Sequence, residues 1–343
     1  MFSIVARAPT RVDLAGGTLD LWPLHYILDA TATINIGIDL FASVSIRSSE
    51  TKEYHLESTD QNKIACGTFQ YVCANKDLAL PGLVLSALWR EDWPPLTIKT
   101  NALSPAGAGL GGSSTLAVTL VGALNELRVR VIGEARLPED VLVRLAGNVE
   151  AKLLKTPTGV QDHWGAQRGG LNVIRYPLKG PEVTTLRGQI LDGIAEQLLV
   201  CYSGQSRVSA VNNWEIYKRA FEGDQETIGR LSSMGEEAQA AAESVLSGDG
   251  DAFLAHSLRE WELRKQLWPG IETRVTRKLQ ELACSAGARL SRVCGAGGGG
   301  AMLFLTSPDR RQKLAETLTN GGGRVLDANV AREGFQICKM VGV

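Results

Sequence analysis

Hydrophobic positions in the first half of the chain alternate with polar ones over several short stretches, which is typical of half-buried strands. The strands predicted in this way cover residues 4–8, 12–14, 33–46, 96–100 and 171–176. The longest of them, at residues 33–46, has a break in its alternation that predicts a bend near Asp39. This half therefore supplies strands for at least one sheet.

Helical spacing appears between these strands. Leucines at positions 116, 120, 124 and 127 predict an amphipathic helix that starts near Ser114, with Ser113 or Ser114 as its N-cap. A second stripe, which ends at Leu153, predicts another helix from about Pro138. Helices and strands are therefore interleaved in the first half.

The second half has the same two periodicities in another order. The predicted order is a strand (198–202), a long polar-rich helical stretch to about residue 267, a helix (271–282), two strands (290–294 and 301–305), a helix (310–318) and a strand (335–340). Without the inserted helices this order is βαββαβ, a split α/β sandwich. We place the domain boundary between residues 176 and 198, and the predicted domains are 1–187 and 188–343.

Composition excludes several classes of protein. The chain has 343 residues, 44% of them hydrophobic, and its 36 basic and 37 acidic side chains give a formal net charge of −1. This balance predicts no nucleic-acid partner and no membrane-surface patch, because both need a basic excess. The sequence has no apolar run long enough to span a bilayer. Residues 1–11 lack the basic start, apolar run and cleavage site of a signal peptide, and we expect none there. The six scattered cysteines indicate reduced thiols, and we expect a cytoplasmic protein.

The strongest chemical signal is the glycine-rich segment at residues 104–115, which lies between a predicted strand and a predicted helix. Glycines let successive amide N–H groups point into one concavity, and a helix N-terminus adds partial positive charge there. The segment is neither a Walker A loop nor a dinucleotide fingerprint. It is interpreted as a cradle for di- or triphosphate oxygens, with a glycine-rich turn and a serine N-cap as the alternative.

Three segments in order resemble the motifs of the GHMP kinases, namely residues 8–20, 105–115 and 294–301. The resemblance implies an α+β fold with an N-terminal ribosomal-protein-S5-domain-2-like domain and a C-terminal ferredoxin-like βαββαβ domain with inserted helices. Within the family, the segments at 38–40, 161–163, 203–207 and 260–265 are most similar to D-glycero-D-manno-heptose 7-phosphate kinases. Two departures lie at the substrate end: the first motif reads AGGTLD where those kinases usually have GGGTD, and Lys152 replaces a frequent arginine.

The same resemblance implies roles for individual residues, with ATP and Mg²⁺ as cofactors. Asp162 would accept or orient the proton of the substrate hydroxyl, with Arg11 beside it, and Ser114 with Glu150 would hold Mg²⁺. From the sequence alone, Asp162 could equally cap a loop and Glu150 could be a solvated helix residue. The implied nucleotide-binding residues are Pro105, Gly107, Ala108, Gly109, Leu110, Gly111, Gly112, Ser113 and Ser114.

A third set is implied to contact the acceptor. Asp20 would accept from sugar hydroxyls, and Ser206 with Arg207 would hold a phosphate already on the substrate. The implied substrate-contacting glycines are Gly16, Gly17, Gly297, Gly298 and Gly299. A simple hairpin between strands is the alternative for the last three.

The expected function is therefore an ATP-dependent kinase for a hydroxyl of a sugar or sugar phosphate, with heptose 7-phosphate as the preferred acceptor. A kinase for an unphosphorylated sugar of the fucose or galactose type is one alternative. A non-catalytic sugar or nucleotide sensor on the same fold is another. The expected partner is a small sugar or sugar-phosphate molecule, and the sequence leaves the assembly open, with a homodimer as one option.

Overall fold

The computed structural model describes residues 1–29, 31–206 and 209–342, and gives the backbone alone for residues 209–212. The strands are β1 (Ser3–Ala15), β2 (Ala32–Ser48), β3 (Tyr54–Ser58), β4 (Lys63–Gly67), β5 (Leu96–Ala102), β6 (Leu171–Arg175), β7 (Glu182–Leu186), β8 (Leu198–Tyr202), β9 (Ala288–Val293), β10 (Ala301–Thr306), β11 (Arg324–Val325) and β12 (Gln336–Val341). The α-helices are α1 (Phe69–Cys73), α2 (Ala79–Leu88), α3 (Gly112–Leu127), α4 (Glu139–Leu154), α5 (Gln161–Arg168), α6 (Gln189–Gln197), α7 (Ser209–Phe221), α8 (Gln225–Ser247), α9 (Gly250–Lys265), α10 (Arg274–Ser285) and α11 (Arg311–Asn320).

The larger sheet is built around the long strand β2. One half of β2 pairs with β6, which continues to β7, and the other half pairs with β5, which continues through β3 to β4. On its other side β2 pairs along its length with β1. The almost completely buried helix α3 packs against β1, β2 and the neighbouring helices. This arrangement carries the glycine-rich segment to one end of the sheet.

The predicted bend in the long strand is confirmed. Pro9 of β1 faces Phe41 but the next residue, Thr10, faces Ile38, so that β2 has two extra residues at this point. The amide of one of them, Asp39, donates to the carbonyl of Asn329 instead of to β1. A proline has no N–H to give to the ladder, and it is tolerated where the register shifts. The two short runs predicted on either side of Pro9 are therefore one continuous strand.

The smaller sheet has the order β11-β8-β10-β9. Numbered within this half, the order is 4-1-3-2, with antiparallel pairing throughout, as expected for a ferredoxin-like βαββαβ unit. The predicted fold class is confirmed. The strand that closes the unit is the unpredicted two-residue β11, however, and not the predicted strand at 335–340.

That last strand, β12, pairs with β1 and is an edge of the larger sheet. The sequence prediction that it completes the second domain is therefore wrong. Alternation of polar and apolar residues predicts a strand but not its partner. The pairing places Ile4 opposite Met340 and returns the end of the chain to the first half of the molecule. The domain division after residue 187 stays a prediction.

The long helical stretch consists of the three helices α7, α8 and α9, and capping residues mark where α8 and α9 begin. Asp224 caps α8 by accepting from the amides of Glu226 and Thr227, and Asp249 caps α9 by accepting from Ala252. Before that cap, Gly248 ends α8 in a left-handed conformation with φ of 81°. Along the described residues no helix has both the length and the apolar character needed to cross a membrane.

Candidate active site

A cleft of about 880 Å³ lies between the two halves of the chain. It is large enough for a nucleotide and a small acceptor together, since ligand pockets usually measure about 300 to 1,000 Å³. Its walls come from the whole sequence and include the β1–β2 connection, the β3–β4 turn, the segment before α2, residues 102–114, the C-terminal part of α4, the start of α5, α7, residues 295–296 and β11.

Residues 105–114 line this cleft, as the sequence predicts for a phosphate cradle. Gly107, Gly109 and Gly111 have φ values of 68°, 80° and 75°, which a residue with a Cβ rarely adopts. The amide of Ala108 donates to the carbonyl of Pro105. Among the described residues, the amides of residues 109–114 have no acceptor, so these donors are free to meet an anion at the N-terminus of α3.

The N-cap of α3 is Gly111 in a left-handed conformation, and the prediction of Ser113 or Ser114 as the cap is wrong. The reason is geometric, because the glycine turn ends one residue before the helix begins and both serines already belong to its first turn. Their hydroxyls therefore make no N-cap hydrogen bond. Ser113 is exposed and Ser114 is buried.

The third glycine motif supports this loop from behind. The amide of Ala301 donates to the carbonyl of Ala108 over 2.6 Å, and a Cβ at Gly300 would lie 2.5 Å from the same oxygen. On the other side, the amide of Arg11 donates to the carbonyl of Leu110 over 3.2 Å. The loop is thus held between β10 and β1 by its carbonyls.

The partly buried Asp162 and the buried Arg11 form an ion pair next to the loop. Arg11 Nε donates to Asp162 Oδ1 over 2.7 Å, Nη2 lies 2.5 Å from the same oxygen, and Nη1 donates to the carbonyl of Gly109 over 2.8 Å. Burial lowers the pKa of Arg11, but Asp162 and then Asp13 raise it more, and the guanidinium stays charged. A fixed cation and a carboxylate therefore stand beside the predicted phosphate site.

Asp162 lies in the first turn of α5. This helix was not predicted from the sequence, because its eight residues are too few to show a helical repeat of apolar positions. Buried amides position the helix. Asn35 Nδ2 donates to the carbonyl of Gln161 over 2.9 Å, and Asn172 Nδ2 donates to Asn35 Oδ1 over 3.0 Å. This chain of hydrogen bonds joins α5 to β2 and β6, and it limits the positions that Asp162 can take.

A substitution at Gly111 tests this contact between loop and carboxylate. A Cβ at Gly111 would lie 3.0 Å from Asp162 Oδ2. We expect Gly111→Ala to lower turnover at least about tenfold, because small displacements of a reacting group have large effects on rate. Gly133→Ala is the matched control, since Gly133 has φ of 80° with no atom within 4 Å of its Cβ position. Both variants should lose about 1 kcal/mol of stability from the left-handed conformation, and equal turnover in the two would contradict the assigned contact.

Asp20 lies on the cleft wall close to this pair. Its Oδ2 accepts from the amide of Gln161 over 3.0 Å, and the residue is almost fully buried. Burial raises the pKa of Asp20 to about 6, and the nearby Asp162 adds to the effect, although the Gln161 amide opposes it. Burial therefore disfavours the charged form of this carboxylate. A ligand whose hydroxyls donate to it would stabilise the charged form.

Asp20→Asn should make the protein more stable at neutral pH and less active. In the wild type, stability falls as pH rises from the unfolded pKa near 4 to the folded value of about 6, since the folded state holds its proton longer. Above this window the variant should be more stable by about 2 to 3 kcal/mol. Urea denaturation from about pH 4.5 to 8 measures the difference, and parallel pH curves for the two proteins would contradict the burial of this charge.

Ser114 and Glu150 meet as the sequence predicts for a metal pair. Ser114 Oγ donates to Glu150 Oε2 over 2.7 Å, and His163 Nε2 lies 3.1 Å from the same carboxylate oxygen. Burial raises the pKa of Glu150, whereas His163 and the Ser114 hydroxyl lower it below its usual value. Among the described residues no group of three or more His, Cys, Asp or Glu side chains could hold a metal alone. Two hard oxygen donors beside the predicted phosphate site suit Mg²⁺, which usually takes its other ligands from water and phosphate.

Several predicted substrate contacts lie elsewhere. The Gly16 amide donates to Glu260 Oε1 over 2.9 Å, and a Cβ at Gly17 would lie 2.6 Å from Arg264 Nη1, so that both glycines face a buried ion cluster and not the cleft. Ser206 is exposed and is not among the residues that line the cleft, while Arg207 lies outside the described residues.

The predicted glycines of the third motif also lie behind the cleft wall. A Cβ at Gly297 would meet the backbone of Ile271, the amide of Gly298 donates to the carbonyl of Ile271, and a Cβ at Gly299 would lie 3.1 Å from the carbonyl oxygen of Gln205. Gly295 and Ala296 line the cleft in their place. The tight packing is a reason for glycine at these positions, and their contact with a substrate stays a prediction.

The buried ion cluster, formed by Asp13, Glu260, Arg264 and Arg292, joins the two halves of the chain. Arg264 Nη1 donates to Asp13 Oδ2 over 2.8 Å, and Arg292 Nη1 donates to Glu260 Oε2 over 2.6 Å. Asp13 Oδ1 accepts from the amide of Gly295 over 2.9 Å. Each of the four residues is at most 1% exposed. The four-residue spacing of Glu260 and Arg264 places both on one helix face but does not reveal their partners, Arg292 and Asp13.

The sequence reading also missed the wall that α7 contributes. Asn213, Trp214 and Tyr217 line the cleft from this helix, and Thr18 Oγ1 donates to Asn213 Oδ1 over 3.0 Å. The cleft is also lined by Ser58, Asp60 and Gln61 and by residues 76–81. The residues of α7 belong to no motif, and their position on one helix is the only feature of the sequence that relates them.

Known proteins share both halves of this architecture. The family profile described as GHMP kinases N terminal domain matches residues 79–170, and the one described as GHMP kinases C terminal matches residues 241–323. The D-glycero-alpha-D-manno-heptose 7-phosphate kinase of Campylobacter jejuni is 25% identical over 98% of this chain and 99% of its own length. The bifunctional fucokinase/GDP-fucose pyrophosphorylase of Arabidopsis thaliana is 27% identical over 90% of this chain and 31% of its own.

Solved structures show the same fold. The crystal structure of a D-glycero-D-manno-heptose 1-phosphate kinase from Bacteriodes thetaiotaomicron superposes with a TM-score of 0.75 at 21% identity, over 100% of both chains. The Lactococcus lactis galactokinase complexed with galactose has a TM-score of 0.76 at 14% identity and covers 97% of this chain and 95% of its own. At such identities these two structures establish the architecture alone.

Proposed function

Because this chain belongs to the GHMP kinase family and is an ATP-dependent phosphotransferase, we propose that it phosphorylates a hydroxyl of a sugar or sugar phosphate. The preferred acceptor is D-glycero-D-manno-heptose 7-phosphate, phosphorylated at its anomeric hydroxyl to the 1,7-bisphosphate. The observation that carries the proposal is the Asp162–Arg11 pair beside amides that have no acceptor among the described residues. The likeness in length and sequence to the Campylobacter kinase supports the choice of acceptor.

The proposed reaction is a direct in-line transfer. The acceptor oxygen forms a bond to the γ-phosphorus of ATP while the bond to the β,γ-bridging oxygen breaks and ADP leaves. Asp162 takes the proton of the attacking hydroxyl. Arg11 faces the transferring group, and the free amides of residues 109–114 bind the phosphate oxygens of the donor. Positioning and charge stabilisation supply most of the rate, so no covalent enzyme intermediate is needed.

Mg²⁺ would be held by Ser114 and Glu150, which supply hard oxygen donors next to the phosphate loop. When bound, the ion neutralises phosphate charge. The chain's own residues prepare this site, since His163 and Ser114 keep the Glu150 carboxyl ionised in a buried position.

Ser114→Ala should weaken metal binding about 10- to 100-fold, the scale seen when groups around a metal site are removed. Titration with Mn²⁺ in the presence of ADP, followed by electron paramagnetic resonance, measures the affinity without turnover. Ser86→Ala is the control, because Ser86 is an exposed helix serine that does not line the cleft. Equal Mn²⁺ affinity in the two variants would exclude Ser114 as a ligand.

A kinase for an unphosphorylated sugar is the second candidate, and the likeness to fucokinases favours it. An ADP-release screen over free sugars and their phosphates distinguishes the two. The proposal expects turnover with the heptose 7-phosphate well above that with any free hexose. Turnover with free fucose or galactose but not with sugar phosphates would support the second candidate. If no acceptor gave ADP release, the result would favour a non-catalytic sensor. A cytoplasmic location and a homodimer stay predictions.

A further inference from the structure

The wall formed by α7 faces the acceptor side of the cleft. Thr18, which donates to Asn213 Oδ1 on α7, lies two residues before Asp20. Next to Asn213, the rings of Trp214 and Tyr217 stack with centroids 5.4 Å apart and planes 17° from parallel. Both rings line the cleft, and both are only partly buried. This wall therefore presents flat apolar surface in the cleft that also contains Asp20, the carboxylate proposed to accept from sugar hydroxyls.

Arg324 lines the same cleft from the short strand β11. Its backbone pairs with Tyr202 of β8, and its guanidinium carbon lies 5.5 Å from the centre of the Tyr202 ring. The next residues are held too, because the amide of Leu326 donates to the carbonyl of Val200. The backbone pairing and the contact with the Tyr202 ring thus hold Arg324 in the cleft wall. No sequence motif had indicated this residue.

The guanidinium of Arg324 has no ion-pair partner in the described part of the chain. No carboxylate there lies within salt-bridge distance of its guanidinium, and its side chain makes no hydrogen bond to the described residues. The other arginines that line the cleft differ, since Arg11 is paired with Asp162 and Arg264 with Asp13. Arg324 is therefore the arginine of the cleft whose donors remain free for a ligand.

We propose that Arg324 binds a phosphate that the acceptor already carries, while Trp214 packs against the sugar ring. A guanidinium offers two parallel N–H donors that match phosphate oxygens, and an aromatic face covers the apolar face of a ring. This inference rests on the proposed function and makes Arg324 the residue that selects phosphorylated over free sugar. The sequence had predicted Ser206 and Arg207 for this role.

The test compares the heptose with its 7-phosphate as acceptors for wild type and Arg324→Met. The ratio of kcat/KM for the phosphorylated to the free sugar should fall about 10- to 100-fold in the variant, as expected for the loss of charged hydrogen bonds. Arg324→Lys should keep part of the preference, because lysine supplies a point charge without the paired donors. Lys313→Met, which removes an exposed charge of α11 in the same half of the chain, should keep the wild-type ratio.

Calorimetric binding of the same two sugars separates this inference from the proposed function. Arg324-dependent binding of the 7-phosphate without ADP release would contradict the kinase proposal and still support the phosphate site. ADP release with an unchanged acceptor ratio in Arg324→Met would overturn the site and leave the kinase proposal intact. Trp214→Ala should weaken both sugars equally. A sugar phosphate that binds no more tightly than the free sugar to the wild type would also overturn the inference.

Discussion

Asp162→Asn is expected to lower turnover at least about a hundredfold, the effect of removing a positioned acid–base group. In the wild type, Arg11 Nε donates to Asp162 Oδ1 over 2.7 Å. Asparagine keeps an oxygen at this position, so the buried guanidinium still has an acceptor. The variant loses only the capacity to take the proton of the acceptor hydroxyl. The loss should therefore appear in kcat, with little change in the KM for ATP.

Single-turnover ADP release with saturating ATP and acceptor measures the chemical step directly. Asp309→Asn is the control, since Asp309 is an exposed aspartate that does not line the cleft. Thermal unfolding should show that both variants are folded. Near-normal turnover in Asp162→Asn would mean that another group accepts the proton, and the proposed role of this residue would fail.

Glu260→Met is expected to destabilise the protein by about 3 to 5 kcal/mol, the cost of breaking a buried ion pair by removing one partner. The substitution leaves Arg292, which is fully buried, without the carboxylate oxygen now 2.6 Å from its Nη1. It also disturbs the bond from the Gly16 amide to Glu260 Oε1, which joins β1 to α9. Equilibrium denaturation with urea measures the loss.

A double substitution separates the pair from its surroundings. Glu260→Met combined with Arg292→Met should cost less than the two single changes added together, because neither charge is then left alone in the interior. Glu226→Gln is the surface control: Glu226 pairs with Arg230 in an exposed i,i+4 arrangement, and its loss should cost less than about 1 kcal/mol. An equally small loss in Glu260→Met would show that this cluster does not hold the two halves together.

The cluster also explains the expected behaviour in acid. Burial raises the pKa of Asp13, but Arg264, Arg11 and Arg292 lower it more, to about 2. A carboxylate with a lowered folded pKa contributes stability above its unfolded pKa, near 4, and this contribution is lost as pH falls toward 2. The packing between β1, α9 and the third glycine motif should therefore weaken in this acid window.

The sequence alone determined the elements and motifs that depend on local chemistry. Period-two alternation identified the long strand β2 and its bend near Asp39, and the resemblance of three glycine-rich segments indicated the family and the phosphate loop. These features survive in sequence because left-handed φ values and helix N-termini restrict which residues can occupy them. The pairing of Ser114 with Glu150 and of Asp162 with Arg11 was implied by the family resemblance and not by local chemistry.

Tertiary structure decided which strands pair and which side chains meet. Alternation in residues 336–341 could not reveal that this strand pairs with β1, because a strand pattern is satisfied by any neighbour that covers its apolar face. The joining of Asp13 to Arg264, and the free guanidinium of Arg324 beside Tyr202, likewise bring together residues more than a hundred positions apart. Such contacts arise only when the whole chain packs, since charges and aromatic rings carry no local signal of their partners.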